Sequence, residues 1–219
     1  EYVTSYRTDT QPMNMRQAIT LTLAQEMMRD DRIIAFGEDV ADFSSDTWKK
    51  LLHDLEERIS AREGEFSPER IEQVLDAMPT IMSGNGSKIP PKVFADIVDL
   101  VGGKGGVFKN TQFLQLLFGS DRVRNSRLAE ASIVGTAVGY ALAGYLPIVE
   151  IQFDAYWSPA YQQINDQLAT LRWRSNGQFS AGMVICIQGM NRVGPGTGGI
   201  GHGEVITGKL DIPGIRWVM

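Results

Sequence analysis

Residues 128–160 read LAEASIVGTAVGYALAGYLPIVEIQFDAYWSPA. Over 130–145 the small residues Ala131, Gly135, Gly139 and Ala143 recur every fourth position. That spacing places them on one side of a helix, where another backbone can come close. Pro147-Ile148-Val149-Glu150-Ile151 follows at once as a short apolar run, the mark of a strand buried on both faces. A helix followed immediately by a buried strand is one unit of an α/β sheet.

The same grammar extends outward. Residues 14–29 carry apolar positions at helical spacing, with Asn14 as cap. Ile33-Ile34-Ala35-Phe36, closed by Gly37, is a second buried strand; Met183-Val184-Ile185-Cys186-Ile187 is a third. A short strand is expected over 122–125, and helices over 110–118 and 157–173. Strands alternating with helices predict a parallel α/β sheet with helices on both faces. Between the pieces of this pattern lies a charged, helix-prone stretch, 43–101, with helix starts at Ser67-Pro68 and Pro90-Pro91. It reads as a helical insertion into an α/β domain spanning 14–219, preceded by a polar linker, 1–13. As a docking surface, a lid or a neutral addition, its role stays open.

Composition narrows the function. The 219 residues hold 21 Lys and Arg against 26 Asp and Glu, a formal charge of −5. An acidic chain without a basic stripe is not a general nucleic-acid binder. One cysteine, Cys186, excludes an internal disulfide framework, and two histidines, His53 and His202, exclude a His-rich metal site. No apolar run reaches the roughly 20 residues needed to span a bilayer, and the N-terminus shows no secretory signal. A cytoplasmic protein is expected. The chain does not begin with Met and stops inside a strand-like run, so both ends read as cut from a longer chain.

Several motifs invite chemistry. Gly194 to Gly199 contains the spacing G-x-G-x-x-G after a strand, but Pro195 interrupts it and no helix follows, which favours a ligand-side glycine loop over a dinucleotide site. Gly102 to Gly106, with Lys104, lacks the full phosphate-loop pattern and reads better as a hinge. Cys186, mid-strand, reads as a small core residue. Two acids occupy the places where open α/β sheets bind ligands: Glu38 after the first strand and Glu130 at the head of the small-residue helix. On spacing alone, Glu38 as a solvated loop acid and Glu130 as a helix-dipole acid are the simpler readings.

Together, FGEDVAD (36–42), GKGGVFKNT (103–111), GSDRV (119–123), the opening stretch 128–160 and RWRSNGQFS (172–180) resemble the beta part of the thiamine-diphosphate-dependent 2-oxo acid dehydrogenases, in the branch where alpha and beta parts are fused. The resemblance covers 13–42 and 103–219 and implies the pyrimidine-binding domain of the decarboxylating component. It implies that Glu130 bonds N1′ of the aminopyrimidine and that Tyr156 stacks on that ring, with Leu128 and Gln152 beside it. Glu38 matches an acid in a proton relay between paired sites, and His202 is the nearest counterpart of an active-site histidine. Gly182, Val184 and Ile185 fall where the family offers backbone oxygens to a monovalent cation. The implied cofactors are thiamine diphosphate and Mg²⁺, the metal held mainly by a diphosphate-binding alpha domain or subunit, because no Gly-Asp-Gly occurs in this chain. On this resemblance the family's C-terminal domain is not expected within residues 1–219. The implied partners are that alpha part, a second copy in a dimer or heterotetramer-like assembly, and a lipoyl acyltransferase; the implied reaction is oxidative decarboxylation of a 2-oxo acid, branched-chain before pyruvate.

Three departures stand against the family pattern. Arg127 replaces the usual Pro before Leu128, the loop GIGHGEV around His202 has altered spacing, and 43–101 is far longer than the family's short loop. Another thiamine-dependent, transketolase-like enzyme and a non-catalytic assembly module or fragment are the alternatives.

Overall fold

A computed structural model of the chain describes residues 15–41, 67–82, 109–188 and 212–218, together with 57, 59, 89–90, 92–93, 96–97 and 105–106. The expected alternation is present. Helix α1 (Met15–Arg29) leads to strand β1 (Ile33–Gly37). Helix α2 (Pro68–Met82) belongs to the insertion, and α3 (Leu114–Phe118) precedes β2 (Val123–Asn125). Then come α4 (Glu130–Leu142), β3 (Leu146–Ile151), α5 (Leu171–Arg174) and β4 (Val184–Ile187). The four strands form one sheet in the order β2-β1-β3-β4, and every pairing is parallel. The cap at Asn14 and the glycine loop at 194–199 lie outside the described residues.

Alternation along the strands divides the core. Ile33 and Ala35 face α1 and α3 in a cluster with Met27, Phe113 and Leu114. Ile34 and Phe36 face the other way, toward Ile133 and Ala137 of α4. At the end of β1 the strands are too close for a side chain. Gly37 pairs with Glu150, and a β-carbon on Gly37 would lie 2.5 Å from the Glu150 carbonyl oxygen. Glycine is the residue that permits this approach. Beyond β3, a further core of Val134, Trp157, Ala160 and Ile164 is covered by the 212–218 stretch, where Ile212 is buried and Trp217 meets Trp157 edge to face.

Two expected helices differ in detail. Residues 110–113 form turns, and α3 begins only at Leu114. Phe113 adopts a left-handed backbone (φ 67°) while its ring is fully buried, so core packing decides the conformation over helix propensity. Thr20 of α1 donates to the carbonyl of Asn110, and Arg16 to the side chain of Gln112, holding this segment against α1. The stretch 157–173 is broken into a 3₁₀ helix (Asp154–Ala160), a π-helix (Gln163–Leu168) and α5. Pro159, without an amide hydrogen, sits at the end of the first. Helix α4 stops at Gly144 (φ 93°), where Tyr145 N–H reaches back to the Tyr140 carbonyl, a left-handed glycine stop.

The insertion shares the domain's core. Val74 and Met78 of α2, with Ile89, Val93 and Ile97, are buried in the same cluster as Met27, Phe113 and Leu117. Inside the insertion Arg70 grips buried Asp96 through two guanidinium contacts. Its return to the sheet is equally ordered. Gly105 (φ 145°) and Gly106 (φ 76°) are buried, with conformations that favour glycine. Of the expected hinge at 102–106, residues 102–104 lie outside the described residues; Gly105 and Gly106 pack against the backbone of Gln112 and the carboxyl of Glu150.

Glu150 is itself unusual. It lies within β3, is buried, and pairs in register with Cys186 of β4. Its Oε1 has no hydrogen-bond partner among the described residues, while Gln188 Nε2 donates to Oε2 at 3.3 Å. Burial pushes its carboxyl up to about 7, against the pull of the Gln188 and Asn110 amides. Burial, and then the neighbouring Glu150, push the Cys186 thiol up to about 11, so it is a protonated packing residue at neutral pH.

Two outcomes follow from this packing. Met78→Ala should cost about 2–5 kcal/mol, the usual range for emptying a buried methionine site; an unchanged denaturation midpoint would show that the insertion packs apart from the domain. For Glu150, the raised value means that the fold favours the protonated acid. Its stabilising contribution is full below the ordinary carboxylate range and is lost as pH rises through about 7. Glu150→Gln should remove that loss and gain on the order of 1–3 kcal/mol near pH 8. Denaturation curves of variant and parent that respond identically to pH would contradict it.

Candidate functional site

The carboxyl ends of β2, β1 and β3, three adjacent strands, deliver the candidate residues to one edge of the sheet, where open α/β sheets hold ligands. Glu38 follows β1 directly, Leu128 lies between β2 and α4, which Glu130 opens, and Gln152 and Tyr156 follow β3. Glu130 is the first residue of α4.

Glu38 departs from its simpler reading as a solvated acid: it is 2% exposed. The backbone N–H of Ala129, the residue that precedes α4, favours the ionised form of Glu38. Its Oε1 has no hydrogen-bond partner among the described residues. Burial raises its carboxyl above the ordinary range; the like charges of Glu130 and then Asp39 add to the rise, and the Ala129 bond opposes it. The structure therefore brings Glu38 and Glu130 within electrostatic reach. Both are acids, so the charge of Glu130 disfavours a second negative charge on Glu38.

Gln152 is 8% exposed, and its Nε2 donates to Asp39 Oδ2 at 3.0 Å. Leu128 is 80% exposed and Tyr156 37%. Tyr156 rides on the 3₁₀ helix with its ring edge-on to Phe153 at 5.7 Å. That helix packs against α4, whose Gly135 leaves room for Gln163 of the π-helix; a β-carbon there would lie 3.3 Å from Gln163 Oε1. Gly182 and Val184 lie exposed ahead of and within β4. His202, with its glycine loop, lies outside the described residues, as does His53. Arg127 is exposed, one residue before Leu128.

This arrangement suits the pyrimidine end of thiamine diphosphate. A flat, nitrogen-bearing ring needs carboxyl groups at its edge and apolar surface on its faces. The orphaned Glu38 oxygen, neighbouring Glu130 and the exposed Leu128 and Tyr156 side chains are groups of those kinds. Among the described residues no three His, Cys, Asp or Glu side chains gather as a metal site, and no helix is long and apolar enough to cross a membrane.

Sequence reasoning passed over Asp39 and Asn125. Asp39 has a left-handed backbone (φ 57°), a conformation that Asp and Asn tolerate best among residues with a β-carbon. Its carbonyl accepts from Gly106 N–H at 2.7 Å. Thr111 Oγ1 donates to the Val40 carbonyl at 2.9 Å, and the Asn125 side chain bonds both backbone groups of Ala41. Three consecutive residues after Glu38 are thus tied down by two segments, the return of the insertion and the end of β2. An acid followed by Asp in GEDV was the available signal for Asp39; nothing local marks Asn125.

Comparison with known proteins identifies the family. Residues 11–192 match the family described as "Transketolase, pyrimidine binding domain". The chain is 48% identical over 94 residues to the pyruvate dehydrogenase E1 component subunit beta of Leifsonia xyli subsp. xyli (strain CTCB07), covering 43% of this chain and 28% of that protein. It is 42% identical over 101 residues to the 3-methyl-2-oxobutanoate dehydrogenase subunit beta of Mycobacterium tuberculosis (strain CDC 1551 / Oshkosh), covering 46% and 27%. To the 2-oxoisovalerate dehydrogenase subunit beta of Bacillus subtilis (strain 168) it is 45% identical over 85 residues, covering 39% and 26%. The matches to these three curated relatives thus cover 28%, 27% and 26% of their lengths. With a parallel sheet of the expected kind and a family match across most of its length, the chain belongs to the transketolase pyrimidine-binding domain family.

Proposed function

We propose that this chain is the pyrimidine-binding part of a thiamine-diphosphate-dependent 2-oxo acid dehydrogenase, an oxidoreductase. The observation that carries the reading is the buried Glu38, with one oxygen unbonded among the described residues, within electrostatic reach of Glu130 at the carboxyl ends of the strands. The relatives' names support the dehydrogenase class, and those of two of the three support branched-chain 2-oxo acids as substrates.

In this reading Glu130 holds a proton at N1′ of the aminopyrimidine, and Tyr156 and Leu128 cover the ring. Thiamine diphosphate, when bound, supplies the electron sink that decarboxylation of a 2-oxo acid requires. Glu38, buried near Glu130, belongs to a proton relay that resupplies Glu130, and burial favours its protonated form. Gln152 fixes the edge of the site through its amide. His202 is assigned to the substrate side, and backbone oxygens of Gly182, Val184 and Ile185 to a monovalent cation.

The remaining parts come from elsewhere in the assembly. A diphosphate-binding alpha domain or subunit holds Mg²⁺ and the diphosphate, in a fused alpha-beta chain of the kind the sequence resembles. A second copy meets the open side of α4: Gly139 and Ala143 are exposed there, and among the described residues nothing lies within 4 Å of a β-carbon built on Gly139. The acyl product passes to a lipoyl acyltransferase, in the cytoplasm.

In the complete enzyme, with the diphosphate-binding half present, Glu130→Gln should lower kcat about 10²–10⁴-fold, the usual weight of a positioned acid or base. Calorimetric titration should still show thiamine diphosphate binding. Near-normal turnover with 2-oxoisovalerate and with pyruvate would refute the role of Glu130.

A further inference from the structure

We propose that Asp39 is a positioning residue, which orients the Gln152 side-chain amide through its carboxylate and holds Glu38 in place through its backbone. This rests on the reading of Glu38, Glu130 and Gln152 as the pyrimidine site. Asp39 joins two separate supports of that site, the end of β3 and the return of the insertion. Its Oδ2 accepts from Gln152 Nε2 at 3.0 Å, and its carbonyl accepts from Gly106 N–H at 2.7 Å. It directly follows Glu38, whose side chain is buried while Asp39 itself is exposed.

The chemistry of the pair gives the orientation. An ionised carboxylate only accepts hydrogen bonds, so it must face the NH₂ of the Gln152 amide. The amide oxygen is thereby left as the acceptor that Gln152 offers. An exposed carboxylate thus determines the polarity of a nearly buried amide. The left-handed backbone at Asp39 makes both contacts possible at once, because the turn sends its carbonyl toward the insertion's return and its side chain toward β3's end. The groups whose charge acts on Glu38 are Glu130 of α4 and Asp39 itself, so removing the Asp39 charge leaves Glu130 as the remaining like charge among them.

The test uses the complete enzyme with its diphosphate-binding half, in three forms: parent, Asp39→Asn and Asp39→Ala. Thiamine diphosphate affinity is measured by calorimetry and kcat is measured against pH. Asp39→Ala should bind the cofactor about fivefold more weakly, the usual effect of losing one such hydrogen bond. Asp39→Asn, which tolerates the left-handed backbone and keeps an acceptor oxygen, should recover most of that loss. Both variants lack the negative charge, so in both the acidic limb of the kcat profile should move to lower pH. Unchanged affinity and unmoved profiles in both would overturn the inference. So would an equal loss in both at every pH, which is what a merely structural residue would give. If Asp39→Ala does not fold, the limb position in Asp39→Asn decides. Failure of the parent to bind thiamine diphosphate at all would be a different result: it removes the underlying reading, and this inference with it.

Discussion

The closeness of β1 and β3 at Gly37 sets the geometry of everything around it. No side chain fits between that residue and the Glu150 carbonyl. On one side of this junction the chain runs into Glu38, and across it lies the Glu150 side chain. Both acids are buried, and each has one oxygen without a hydrogen bond among the described residues. Burying a carboxyl without full compensation is costly. In both cases the response is the same: the fold favours the protonated acid. The difference lies in surroundings. Glu38 meets a second acid and a helix N-terminus at the sheet's working edge. Glu150 meets amides, a thiol and the Gly106 backbone beneath α1.

The strands and their parallel arrangement were legible because apolar runs closed by glycine and separated by helices admit few other folds. The placement of Glu38, Glu130 and Gln152 beyond the ends of β1, β2 and β3 was legible for a related reason: topology brings the ends of parallel strands to one edge. The burial of Glu38 was not legible. Its polarity argues for solvent, and only the approach of α4 and the segment before it encloses it. The broken helix after β3 was hidden in the same way. Its sequence is compatible with a continuous helix, and the demand comes from α4, whose Gly135 receives Gln163. Phe113 shows the principle most plainly: its backbone adopts a conformation that its residue type disfavours, because its ring fills the core.

The insertion had three open readings. Its buried contacts narrow them: α2 contributes Val74 and Met78 to the cluster that also holds α1 and α3. A segment that supplies part of the core on one face of the sheet is a structural extension of that face. The same face carries Glu150 and the Asn110–Thr111 turn, so the insertion covers the side of the sheet opposite α4 and Glu130.

The ties at Asp39, Val40 and Ala41 bear on the chain's tolerance of length. Gly106 and Thr111 bond back to Asp39 and Val40, so both ends of the long excursion are anchored side by side. The entropy of closing such a loop grows only with the logarithm of its length, about 0.6 kcal/mol for each doubling. Once the anchors exist, adding residues between them is nearly free for the sheet. The stretch after Ala41 is therefore the place where this architecture admits extra sequence at least thermodynamic expense, and where breaking the chain to make new termini would leave the site's supports joined by hydrogen bonds rather than by covalent connection.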